Sequence, residues 1–291
     1  MARERRSNKA SHVASLFDVP TRIELSYRKQ IFTLINRNIP TGLTSTNIDD
    51  WLNCLAYMSE DSTLIKQSEM VSRQAIRDVH ISNMFAWRDS SKKSAEGARV
   101  RKVLYETDKG AIGREIRNQI IRSAENTSSI LRRTSDSLKK EMSIAREKGA
   151  TEQGCLNILR YRFPLLISKR IKLIARSDPH FASSALTKAR SEDLGISCFI
   201  WTTRHDNLVR HAHDNLDGVV VFWNDLPSPE NLVGMGPILG YYGPGESYNC
   251  RCVAVPIFSF NDLFTSDRSR ISVYHEGRIQ QMTKSRFMEL V

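Results

Sequence analysis

Glycine and proline are shared unevenly along this chain, and that limits what each part can fold into. Of its 14 Gly and 9 Pro, 11 fall in the first 200 positions and 12 in the last 91. Both residues interrupt regular helices, so the front can carry long helices and the back cannot. Charge divides the same way. Residues 1–200 hold 35 Lys and Arg against 22 Asp and Glu, whereas residues 201–291 hold 8 against 10. The joint shift sets a boundary near Gly195. It predicts an α+β protein with a basic helical domain over 1–195 and a small, loop-rich α+β domain over 196–291.

Helical spacing recurs through the front. Asp18, Pro20, Thr21 and Glu24 form a start signal, and Ile23, Tyr27, Ile31 and Leu34 follow on one face. A second helix is expected from Thr46 to Met58 and a third from Ser62. The serine-lysine stretch at 90–97 reads as a connection. Ile112, Ile116, Ile120, Leu131, Leu138 and Met142 make a stripe over 111–148, which is either one long helix or two helices broken near the T-S-S run at 127–129. In the block 152–194, Pro164 should end or kink a helix. Asp178-Pro179 should restart one as an N-cap and first helical residue.

From residue 196 the pattern changes. I-S-C-F-I-W-T-T reads as a strand, Val219–Trp223 as a second, and N-C-R-C-V-A-V-P at 249–256 leads into a third. Between the last two lies a long loop, 224–248, rich in Gly and Pro. Its G-M-G-P-I-L-G run lacks the G-K-[ST] ending of a phosphate-binding loop.

Several classes are set aside. No apolar run approaches the roughly 18 residues of a membrane span. The basic start M-A-R-E-R-R-S-N-K is followed by no apolar core, so no secretory leader is expected. Cys54, Cys155, Cys198, Cys250 and Cys252 are too few and scattered for a disulfide framework, which favours a reducing compartment. Residues 99–190 hold 21 basic residues against 9 acidic. That excess is either an ordinary solvated surface or a non-specific contact with DNA through its phosphates.

The back half carries the most specific pattern. Trp201, Thr202, Asp206, Val209, Arg210, His213, Leu216, Asp217 and Gly218 are followed, after the Pro/Gly-rich loop, by Asn249, Cys250, Arg251 and Cys252. This order resembles the phage Mu F-like minor head proteins, also called phage head morphogenesis proteins. The I-A-R-S-D run at 174–178 resembles a family segment that usually ends in Thr-Glu. The resemblance implies a minor capsid protein of a tailed bacteriophage. It implies association with the portal protein and other capsid proteins during procapsid assembly in the host cytoplasm. It also implies residence in the virion head at the portal vertex, and possible travel with the DNA on ejection. Such a role is not catalytic and requires no cofactor.

The polar residues of the pattern leave alternatives open. His213, Cys250 and Cys252 could hold zinc with His211 or Asp206, although C-x-C with a distant His is not a standard zinc spacing. Alternatively the two cysteines pack as small apolar groups, with His213 and Arg210 bonded to the Asp217 turn. A rival function is a metal-dependent nuclease or hydrolase built from His205, Asp206, His211, His213 and Asp214, with the basic block gripping nucleic acid.

Overall fold

The computed structural model describes residues 15–92, 94, 97–104, 110–266 and 268–291. The basic first nine residues, positions 93, 95 and 96 of the serine-lysine stretch, and positions 105–109 of the basic block lie outside the described residues. By contact the chain forms two compact units. One comprises Thr21–Arg77 and Asn118–Asp178; the other is built from the chain up to Pro20, from Asp78–Arg117 and from Pro179–Val291. The compositional shift at 195 marks a change of element type: a helix ends at Asp193 and the first strand starts at Cys198.

Seven helices precede the sheet among the described elements of eight residues or more: α1 (Thr21–Arg37), α2 (Ile48–Tyr57), α3 (Ser62–Ser91), α4 (Gly97–Leu104), α5 (Ala111–Ser128), α6 (Ile130–Glu147) and α7 (Glu152–Asp193). In the first unit Tyr27, Ile31, Leu52, Leu55, Leu131, Leu138, Met142 and Leu159 pack into one core. The spacing that predicted these helices is the spacing of their buried faces. Two side-chain bonds fix how α2 and the turn after it meet α6: Ser135 Oγ donates to Leu52 O at 2.6 Å, and Arg132 N–H donates to Ser59 Oγ at 2.9 Å.

The stripe at 111–148 is two helices. They part at Ser129, where the Ser128 and Ser129 hydroxyls donate to the Glu125 and Asn126 carbonyls. Short hydroxyl side chains compete with the helix for its own backbone acceptors, and three in a row interrupt it.

The expected end at Pro164 and restart at Pro179 are corrected by a continuous α7. The helix runs through both Pro164 and Pro179, at the cost of one N–H bond at each. Asp178 is no N-cap. Its carboxyl is buried and takes a hydrogen bond from Asn126 Nδ2 at 2.9 Å and from the Tyr27 hydroxyl at 3.5 Å. Ties to α1 and α5 hold this stretch in register.

The second unit carries a five-stranded mixed sheet in the order β3-β1-β2-β4-β5. Its strands are β1 (Cys198–Thr202), β2 (Val220–Phe222), β3 (Val253–Pro256), β4 (Arg270–His275) and β5 (Arg278–Thr283). β2 and β4 are parallel; the other neighbours are antiparallel. Alternate residues go to opposite faces. Phe199, Trp201, Val221 and Trp223 enter one cluster, while Cys198, Val220, Phe222 and Val273 enter the other. The β4–β5 hairpin was not foreseen. It turns on Glu276 (φ 48°) and Gly277 (φ 81°), a pair with positive φ at both positions that suits a two-residue hairpin.

The same unit draws on earlier chain. Trp87 of α3 packs with Phe17 and meets Phe258 edge-on at 5.5 Å between ring centroids. Asn83 Nδ2 donates to Thr187 Oγ1 at 2.8 Å.

Candidate functional site

β1 and the turn before β2 set the frame. Gly218 N–H donates to Trp201 O at 2.8 Å, and Trp201 N–H to Val219 O at 2.9 Å. Asp217 sits just before, and its Oδ1 accepts from Thr203 N–H at 2.8 Å, from Thr203 Oγ1 at 3.0 Å and meets His205 Nε2 at 2.9 Å. Asp217 is therefore the clasp between the end of β1 and the Gly218 turn, where φ is 74°. Its partners are Thr203 and His205, in place of the Arg210 and His213 expected from the sequence.

Arg210 and Arg251 fasten the loops above the sheet. Arg210 donates to Ser247 Oγ at 2.8 Å and to the Tyr248 carbonyl. Arg251 grips Asp206 through both of its terminal nitrogens, at 2.7 and 2.8 Å. That bidentate bond, ahead of other causes, holds the Asp206 carboxyl below its ordinary range. Asn249 takes a left-handed backbone, φ 58°, immediately before Cys250, a conformation that Asn tolerates better than most side chains.

His213, Cys250 and Cys252 converge beneath these clasps. A short helix, α8 (His211–Asp214), turns His213 inward. The cysteines lie on the loop that leads into β3. All three are at least 95% buried. His213 Nδ1 lies 3.4 Å from Cys250 Sγ and 3.5 Å from Cys252 Sγ. The three ligand atoms fall within 4.8 Å of one another, and they are the one such group among the described residues. A cleft of about 90 Å³ reaches them, lined also by Arg204, Val209, Arg210, Asn249 and Arg251.

The far side of the imidazole is tied down. Nε2 of His213 meets the Tyr242 hydroxyl at 2.9 Å, and that hydroxyl donates to Glu230 Oε1 at 2.7 Å. A hydroxyl has one proton to give. Since Tyr242 gives it to Glu230, Nε2 supplies the proton between ring and phenol. In the neutral imidazole Nδ1 then carries the lone pair, and it faces both sulfurs. Burial, followed by Glu230, pushes the Tyr242 phenol well above its ordinary range, so it stays protonated.

The thiols are electrostatically distinct from the rest. Burial alone raises Cys198, on the other sheet face, to about 12. At the cluster the two sulfurs share a hydrogen bond that favours thiolate on Cys250 and thiol on Cys252, with His213 adding to the first effect. The Gly245 N–H also points at Cys250 Sγ, at 3.4 Å. Gly245 has φ 82°, and a Cβ there would sit 3.2 Å from His180 O and 3.4 Å from Cys252 O. Only glycine lets the backbone come this close.

The other candidate ligands and the proposed hydrolytic cluster disperse. Asp206 belongs to Arg251, and His205 to Asp217. His211 and Asp214 are exposed, and only His213 turns inward. Tyr242, Glu230, Gly245 and Ser247 were not singled out in the sequence. Nothing in the sequence sets Glu230 apart from Asp225 and Glu246 in the same loop; it is buried in the structure.

Comparison with known proteins locates the pattern. Residues 114–255, just under half of the chain, match the model of the family described as Phage Mu protein F like protein. A Haemophilus influenzae protein (strain ATCC 51907 / DSM 11121 / KW20 / Rd), named only as uncharacterized, is 26% identical over 123 residues, or 42% of this chain. That match spans about a quarter of the relative's length (25%). No solved structure matches. The matched segment holds α6, α7, β1, β2 and the whole His213–Cys250–Cys252 cluster, and over residues 114–255 the chain is similar to the Phage Mu protein F like family.

Proposed function

We propose that the protein is a minor head component that joins the portal vertex of a tailed bacteriophage during procapsid assembly. In this reading it assembles in the host cytoplasm, remains in the virion head, and contacts packaged DNA through residues 99–190. The observation that carries the reading is the family match, which joins basic helices to the clasped site in one continuous segment.

Two features support it. The loop before Tyr242 exposes Met235, Ile238, Leu239 and Tyr241, each more than half exposed. Apolar side chains presented together suit contact with another protein, which fits a partner such as portal. On α6 and α7, Arg132, Arg133, Lys140, Arg160, Lys169 and Lys172 are exposed. They suit phosphate contacts that carry no sequence information. No helix among the described residues is long and apolar enough to cross a membrane.

The test is co-purification of the full chain with the portal protein of its own phage. Binding lost on Ile238→Asp with Leu239→Asp is the expected result. No binding by the native chain overturns the assembly reading. For DNA, duplex affinity should fall steeply with salt, and an affinity indifferent to salt overturns an electrostatic contact.

A further inference from the structure

The geometry points to a zinc site formed by His213 Nδ1, Cys250 Sγ and Cys252 Sγ, with its fourth position open to the cleft beside Arg210 and Asn249. The argument begins with distances. Tetrahedral zinc takes nitrogen at about 2.0–2.1 Å and thiolate sulfur at about 2.3 Å, which places N and S ligands about 3.6 Å apart. The observed separations from His213 Nδ1 are 3.4 and 3.5 Å. The two N–S edges of such a tetrahedron are thus already in place.

The donor chemistry agrees. Two sulfurs and one imidazole form a soft set that favours zinc over magnesium or calcium. A ligating histidine is normally oriented by a hydrogen bond from its other ring nitrogen. Here Nε2 is spent on Tyr242 and through it on Glu230, so Nδ1 is the free ligand position. Cys250 has a donor of its own: the Gly245 N–H points at its sulfur at 3.4 Å. A backbone amide aimed at a buried sulfur stabilises thiolate more than thiol.

The fourth ligand comes from outside the trio. No other His, Cys, Asp or Glu among the described residues joins the group. The cleft of about 90 Å³ that reaches the cluster has room for water, which needs about 10–15 Å³ on that measure. Three protein ligands and water complete the coordination. The metal would tie α8 to the loop leading into β3. Binding expels the thiol protons to solvent and so weakens as pH falls.

The test uses the full chain purified under reducing conditions. One zinc per chain by elemental analysis is expected. After the metal is stripped by chelator, cobalt(II) should restore thiolate-to-metal absorption in the near ultraviolet and the strong visible bands of tetrahedral cobalt. Cys250→Ser and Cys252→Ser should each weaken the metal by more than about 100-fold, beyond the 10–100-fold typical of losing an outer partner. Cys54→Ser, at an exposed cysteine, should change nothing. A folded native chain that takes up neither zinc nor cobalt through thiolate overturns the site, leaving a hydrogen-bonded cluster. Retention of full zinc by a folded Cys250→Ser or Cys252→Ser chain overturns it equally. Because the cobalt titration is read on the native chain, a variant that fails to fold does not obscure the answer.

Discussion

Tyr242 orients His213: its hydroxyl stands 2.9 Å from Nε2 and sends its own proton on to Glu230. The relay decides which ring nitrogen faces the cysteines.

Tyr242→Phe keeps the ring and removes the hydroxyl. It should leave Nε2 and Glu230 Oε1 buried without each other, at a cost of about 1–3 kcal/mol in chemical unfolding. Zinc affinity should fall about 10–100-fold in a competition assay. A purely packing role for Tyr242 predicts no change in zinc affinity, so a folded variant with native affinity removes the relay from the account.

Asp178 should make the first unit sensitive to pH. Burial raises its carboxyl from 3.8 to about 7. A folded acid that holds its proton more tightly than the unfolded one gives stability that is full below about pH 4. It is lost as pH rises towards about 7, by at most about 4 kcal/mol. Thermal melting across pH 4 to 8 should show this decline in the native chain and a flatter profile in Asp178→Asn. Parallel profiles would assign the effect to another group.

Asp217→Ala should loosen the end of β1. It removes the acceptor for Thr203 N–H, Thr203 Oγ1 and His205, and the side chain is only partly exposed. A loss of about 1–3 kcal/mol is expected by denaturant titration. Amide exchange should quicken at Thr203 before it does at Val221, deep in the sheet. Equal exchange at both would show that the clasp is not local.

Gly245→Ala tests the close approach beside Cys250. The left-handed backbone and the 3.2 Å approach to His180 O should together cost about 1–3 kcal/mol. Substituting Gly42, which also has positive φ but has nothing within 4 Å of an added Cβ, should cost less. The difference between the two measures the crowding.

Legibility followed range. The helices of the front could be read because Ile31, Leu52, Leu138 and Met142 repeat at helical spacing and are the residues buried. The break at Ser129 could be suspected because its cause, three hydroxyl residues, is local. Pro164 and Pro179 misled because a proline's cost is local while its compensation is not. Asp178 looks like a cap until Asn126 and Tyr27, far off in the chain, claim its carboxyl. His213, Cys250 and Cys252 were candidates on chemistry alone, but Tyr242 and Glu230 were invisible. Their role rests on an irregular loop whose path no periodicity records. The 270–283 hairpin was legible after the fact from Gly277 alone.

The sheet-bearing unit takes Trp87 from a helix made long before the Val253 and Phe258 that it packs with. During synthesis the Thr21–Asp178 unit has all its segments once residue 178 emerges, whereas α3 must keep an apolar end uncovered until Val253 and Phe258 follow. The protein therefore matures in two instalments. A scissor cut at residue 195 would not release a finished half; it would strand Trp87 on one fragment and its seat on the other.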